Sequence, residues 1–201
     1  MPDSDFLPPA PQPPAEAASV AAGARNRRRW TSVALAVEPP GDGPPPPVRY
    51  EWDADTEIPA ASVADRRGGG AAAASLELEG RDGSWVTLEV RAGRLCGLEV
   101  AVWPPVRLRT ALAPPGASER GHVSMPALGA LGALGGTTDV EVDTLLHVES
   151  DRRQRTYHFR VGRPRPTRAV QVGRDILVDV DEAGELAGLW LLNVPPQPVP
   201  H

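Results

Sequence analysis

Asp179 and Asp181 stand two residues apart in the run ILVDVDEAG, so in an extended chain both project from one face. Paired acids are the raw material of general acid and base catalysis. The blander expectation is that Asp181 holds a turn and Asp179 keeps an exposed edge soluble. His147, Glu149 and His158 form a possible metal set if the strands carrying them pair; otherwise the histidines are unpaired surface residues. Asp139, Glu141 and Asp143 alternate along one strand face as a hard cation would require, but carboxylates about 7 Å apart on a strand do not converge without loop ligands. From Arg152 to Arg174 there are eight arginines and no acid, with Tyr157 and Phe159 interleaved. That run could grip single-stranded nucleic acid by stacking and phosphate contacts, with Tyr157, Arg163 and Arg165 as its contacts. Neutralisation by the acidic strand before it is the expectation preferred here.

Several chemistries lack their residues. There is no lysine, so all 21 basic residues are arginine, which excludes Schiff-base chemistry and the lysine of a phosphate loop. Cys96 is the single cysteine and cannot form an intrachain disulfide. His122 and Ser124 lie close in sequence, but no Gly-x-Ser-x-Gly surrounds the serine. No catalytic residue, metal ligand or cofactor is assigned.

The elements that must position these residues are strands. Val86, Leu88 and Val90 alternate, as do Ile176, Val178 and Val180, the signature of half-buried strands. Each run leads to a turn ending on glycine, Gly93 or Gly184, a residue that reaches positive φ without a Cβ clash. The return strands, GRLCGLEVAVWPP from Gly93 and GELAGLWLLNVPP from Gly184, match at six of thirteen positions. Both carry an interior glycine, Gly97 or Gly188, expected to mark a bulge or a close backbone approach. Both stop at paired prolines.

The run Ile176 to Leu192 resembles the closing hairpin of a small bacterial family of domains of unknown function, which ends in D-x-D-x-x-G-x-[IL]-x-G-[IL]-E-[IL]. Asp179, Asp181, Gly184, Leu186, Gly188, Leu189 and Leu191 match. Trp190 replaces the family's glutamate, which the first copy retains as Glu99 while lacking the second aspartate. The resemblance implies a compact β-rich unit and brings no activity with it.

With 24 prolines and 20 glycines in 201 residues, the chain has room for one medium domain or two small ones. The expected class is mostly β: two similar antiparallel units, an internal duplication, packed as a pseudo-twofold barrel or sandwich. The expected divisions are a disordered Pro/Ala-rich tail over 1–27, a first unit over 28–106, a linker over 107–136, a second unit over 137–196 and a short tail over 197–201. Trp30 to Val37 reads as a first strand and Val48 to Trp52 as a second. GDGPPPP at 41–47 reads as a polyproline spacer, and RRGGGAAAA at 66–74 as a loop. A net charge of −5 argues against general polyanion binding. No apolar run reaches the roughly 18 residues of a membrane span, so a cytoplasmic protein is expected. The expected function is a non-catalytic protein-binding or assembly module, through a protein partner or self-association, with Trp103 and Trp190 at the ends of the hairpins as anchors. Nucleic-acid binding through Arg152 to Arg174 is the first alternative. An enzyme or metal-binding protein using Asp179 and Asp181 or His147 and His158 is the second.

Overall fold

In the computed structural model, the structure describes residues 28–53, 59–64, 73–116, 118–132 and 138–197. The two predicted tails over 1–27 and 197–201 lie outside these residues apart from Gln197, as does most of the predicted loop at 66–74. In chain order the strands are β1 (Arg28–Trp30), β2 (Ala36–Glu38), β3 (Val48–Trp52), β4 (Pro59–Val63), β5 (Ala73–Gly80), β6 (Trp85–Arg91), β7 (Arg94–Val102), β8 (Val106–Arg109), β9 (Ser118–Arg120) and β10 (His122–Ser124). A short helix, α1 (Pro126–Gly132), precedes β11 (Thr138–Thr144), β12 (Leu146–Asp151), β13 (Tyr157–Val161), β14 (Thr167–Gly173), β15 (Ile176–Asp181) and β16 (Leu186–Leu191).

The protein is mostly β, in two sheets. The first runs β1-β11-β5-β6-β7-β10-β2 and branches at β7, whose far edge also takes β4 and then β3. The second runs β8-β12-β13-β16-β15-β14-β9. Within them the neighbour order β3-β4-β7-β6-β5 recurs as β12-β13-β16-β15-β14, with the strands in the same chain order. Register agrees as well. Ala61 opposes Leu98 as Phe159 opposes Leu189, and Glu89 opposes Gly97 as Asp179 opposes Gly188. A register shift follows at Glu89/Val90 and at Asp179/Val180, so each interior glycine sits beside a bulge.

Alternation places the core between the sheets. Leu76, Leu78, Val86, Leu88, Val90, Leu98 and Val100 from the first meet Val148, Phe159, Val170, Val178, Leu189 and Leu191 from the second in one buried cluster. Burial of this kind, worth roughly 1.5–3 kcal/mol per large aliphatic or aromatic side chain, is what turns the two periodic patterns into a fold.

The predicted boundaries differ from this arrangement. The segment read as a linker, 107–136, supplies most of β8, all of β9 and β10, and α1. Thr138 to Thr144, read as the start of the second unit, is β11 and belongs to the first sheet, parallel to β5. The predicted purely antiparallel units are therefore supplemented by parallel neighbours, β11 beside β5 with β1 beside β11, β8 beside β12 and β9 beside β14. Because β11 joins the first sheet, its acids cannot neutralise the arginine-rich strand. Two of the three face other acids instead: Glu141 opposes Glu77 and Asp143 opposes Glu79, with Arg29 of β1 lying 3.4 Å from both Glu141 and Asp143, while Asp139 accepts from the Ser75 hydroxyl opposite it (2.6 Å). The predicted first strand is two strands, and the chain between them crosses to the second sheet.

That crossing builds the seam. Leu35 N–H donates to Gly184 O (2.8 Å) and Leu186 N–H to Val33 O (2.9 Å), while Met125 N–H donates to Gly93 O (2.6 Å). Each closing hairpin is thus capped by a segment continuous with β2 or β10, and β2 and β10 pair with each other about Val37 and Val123. Farther along, the Tyr50 hydroxyl donates to a main-chain carbonyl of the second sheet, Leu192 O (2.8 Å), and Trp52 Nε1 to Pro195 O (3.2 Å). Burial pushes the Tyr50 phenol far above its ordinary pKa, with Asp175 adding to the shift, so the group remains a donor.

Candidate functional site

Two cross-strand rows organise the outer face of the second sheet. One reads Arg107, Glu149, His158, Trp190, Leu177, Gln171 and Arg120; its neighbour reads His147, Arg160, Gly188, Asp179, Ala169 and Ser118. Gly188 leaves a gap in the second row. A Cβ there would stand 2.7 Å from Phe159 O, 2.9 Å from Asp179 Oδ2 and 3.2 Å from His158 Nε2. Into this gap His158 and Asp179 reach diagonally, Nε2 to Oδ2 at 2.9 Å. Trp190 Nε1 donates to the same carboxylate at 3.1 Å, and its indole stacks on the His158 ring at 4.0 Å and 8°. Asp179 is 5% exposed and β15 is interior to its sheet. It is therefore not a solvated edge acid, nor is His158 an unpaired surface histidine.

The chain itself covers part of this face. Between β8 at one edge and β9 at the other, residues 110–116 cross the sheet, and Leu112 packs on the small cluster of Ala169, Leu177 and Trp190. An acid holding an imidazole is half of a proton-transfer system. The contacts that His158 makes are the Asp179 carboxylate and the Trp190 ring, and among the described residues no hydroxyl or thiol hydrogen-bonds to it.

The other residues singled out in the sequence are placed as follows. Trp103 is half-buried, with its ring centroid 5.2 Å from Tyr157 and 5.9 Å from Phe159; it seals one end of the core. Trp190 is 6% exposed. Trp190 therefore has no free face, whereas Trp103 keeps part of its surface in solvent. Tyr157 and Phe159 are buried in the core, leaving no ring surface for a base. Arg165 spends its donors inside the chain, on Asp181 Oδ2 (2.6 Å), Val161 O (3.0 Å) and Leu186 O (2.8 Å), whereas Arg163 is exposed. Arg168 pairs with Glu119 and Arg109 with Glu149. His147 opposes Arg160 and Glu149 opposes His158, but among the described residues no three of His, Cys, Asp and Glu are grouped to hold a metal. Asp181 fixes its turn as expected, Oδ1 accepting from Ala183 N–H (3.0 Å) and Glu185 N–H (2.8 Å).

A concave site lies elsewhere, at the seam. A cavity of about 400 Å³ opens between the Pro40–Pro47 connector, the start of β7, the β9–β10 junction and the end of β14. Its size falls within the ordinary range for ligand sites. Arg94, Arg120, His122 and Arg174 line it, with Asp42 as the lining acid. Arg94 is already neutralised: Nη2 lies 2.5 Å from Glu38 Oε2, and the Arg94 hydrogen bond and charge hold the Glu38 carboxyl below its usual range. Among the described residues the Arg120 guanidinium reaches one acceptor, the main-chain carbonyl Gly43 O at 3.4 Å. No acceptor among the described residues bonds to the Arg174 guanidinium, although Arg174 N–H is fixed by Pro46 O (2.8 Å). The prolines thus form one wall, held by their own carbonyls, as Ala64 N–H donates to Pro47 O (3.0 Å). Arg174 stands out in the sequence only as the end of the arginine run, and its meeting with Arg120 depends on the pairing of β9 with β14, strands from separate parts of the chain. The proline run was the available signal, as a stiff segment whose conformation is set before a ligand arrives.

No family model matches the chain, and no curated protein matches it. No helix among the described residues is long and apolar enough to cross a membrane.

Proposed function

We propose that the protein is a non-catalytic binding module that acts in the cytoplasm and receives an acidic segment of a partner protein in the seam cavity. The observation that supports this is the pair Arg120 and Arg174, two guanidiniums without a carboxylate partner among the described residues, lining a cleft walled by a stiff proline run. Planar guanidiniums suit bidentate recognition of carboxylates. The repeated strand order, register and bulge further support descent of the two five-strand modules from one duplicated unit, and the resemblance of their closing hairpins to the domain-of-unknown-function family belongs to the same reading. Nucleic-acid binding has less behind it, since Tyr157 and Phe159 lie in the core.

Fluorescence anisotropy with a labelled Asp/Gly-alternating decapeptide tests the proposal. Binding is expected to weaken with salt and to fall at least tenfold in Arg120→Ala/Arg174→Ala. Absence of binding at low salt, or binding indifferent to the double variant, would overturn it. So would preferential binding of an oligonucleotide of equal charge.

A further inference from the structure

The two modules differ at one edge. In the second sheet β12 is flanked by β13 on one side and β8 on the other. Its counterpart in the first sheet, β3, pairs with β4 alone among the described residues. The parity of the main chain is the same in both. Ala64 N–H bonds to Pro47 O and Gly162 N–H to Leu145 O, so by antiparallel alternation the N–H and C=O groups of Val48, Tyr50 and Trp52 point to the open edge, as those of Leu146, Val148 and Ser150 point to β8.

The strand β8 is itself an outer edge. All four of its residues are exposed, Val106 and Leu108 to 38% and 60%, and its parallel pairing turns the main-chain groups of these two residues outward. Charge links the two edges. Arg109 of β8 pairs with Glu149 of β12. Through the matching registers Tyr50–Ala61 and Val148–Phe159, Glu51 of β3 occupies the position of Glu149; its side chain is 61% exposed and pairs only with the still more exposed Arg49 of the same strand among the described residues, at 2.7 Å, a pair that solvent screens and a docked arginine can share.

From this we infer that the chain associates with a second copy of itself head to tail, the β8 edge of one molecule lying parallel to the β3 edge of the next. Strand β8 then stands between β12 of its own chain and the β12-like strand of its neighbour, with Val106 and Leu108 covered and Arg107 or Arg109 beside Glu51. This surface is separate from the seam cavity and does not depend on the acidic-segment reading. An open edge with exposed apolar residues is a template for such pairing.

Sedimentation velocity of the full chain from 1 to 500 µM is the test. Self-association that rises with concentration is expected, at least tenfold weaker in Glu51→Arg and in Leu108→Asp. Both substitutions sit on exposed side chains, and circular dichroism checks that each variant keeps its strand content. Since each variant spoils a different edge, mixing the two is expected to give a heterodimer through the intact β3 edge of one and the intact β8 edge of the other. A wild-type chain that stays monomeric throughout overturns the inference. So does association that neither substitution weakens, or a mixture that stays monomeric when each variant alone does.

Discussion

The outer faces of the two modules share a skeleton and diverge on it. Glu89 and Gly97 in the first correspond to Asp179 and Gly188 in the second, opposed in the same way beside the same bulge. Their neighbours differ: Ala60 and Glu99 stand where the second module has His158 and Trp190. In the second module the gap at the glycine holds a hydrogen-bonded, stacked cluster under a strap. In the first, the Glu89 side chain is 49% exposed and no strap among the described residues crosses it. One vacancy thus has two uses, and the difference lies in what the adjacent strands contribute.

Alanine at the two glycines is the sharpest way to break this comparison. At Gly188 the new methyl meets a main-chain oxygen at 2.7 Å and the bonded Asp179–His158 pair. Neither can move without losing a buried hydrogen bond, and Gly188→Ala is expected to cost about 3 kcal/mol. At Gly97 the nearest atoms are Ala61 O and a Glu89 oxygen, both at 3.0 Å, and the glutamate can swing into solvent. Gly97→Ala is expected to cost about 1 kcal/mol. Urea unfolding of both variants measures the gap, and equal losses would mean that the two sites are constrained alike.

The hairpin turns offer a second contrast. The second turn hangs on Asp181, which accepts two main-chain N–H groups and the Arg165 guanidinium; Arg91, at the end of β6, has no such role. Burial pushes the Asp181 carboxyl up, but the Glu185 N–H, Arg165 and the Ala183 N–H together outweigh it and hold its pKa below the usual aspartate range. A depressed folded pKa means that the stabilisation is fully present above the unfolded value of about 3.9 and fades as pH falls through the folded one. Asp181→Ala is therefore expected to lose about 2 kcal/mol at pH 7, with the difference from wild type shrinking below about pH 4. A loss that persists unchanged at pH 2.5 would show that the charge of the carboxylate is not the source.

Much of this was legible in the sequence, and the reason is periodicity. Alternation in Val86–Val90 and Ile176–Val180 located both hairpins, the terminal glycines located both turns, and Gly97 and Gly188 located both bulges. Periodicity also explains what was missed. Val140, Val142, Leu146 and Val148 keep one parity, so they read as a single strand, yet the chain changes sheets at Leu145. The pattern is unbroken because both strands face the same core, and alternation records only which way a side chain points. The cluster on the outer face was half visible. Asp179, His158 and Trp190 each stood out, but their meeting depends on the β13–β16 register, which no local pattern fixes. The seam cavity was visible only as its proline wall, because its arginines are brought together by the pairing of β9 with β14.

The first turn gives the smallest expected effect and the cleanest control on the second. Strands β6 and β7 are joined by Ala92 and Gly93 at φ of 49° and 78°, both in the left-handed region, as a two-residue hairpin turn demands. Gly93 occupies that region freely, while Ala92 carries a Cβ into it at a cost of roughly 1 kcal/mol. Ala92 is exposed, so its side chain contributes little packing that a replacement would forfeit. Ala92→Asn, a residue that tolerates this conformation, is expected to stabilise the protein by about 0.5 kcal/mol. The corresponding change beyond Asp181, Ala183→Asn, is expected to do nothing, because Ala183 has a negative φ and its N–H is already held by the aspartate. Thermal unfolding of the two variants side by side separates a turn limited by backbone strain from one fixed by a side chain. Equal shifts in Tm would erase that distinction.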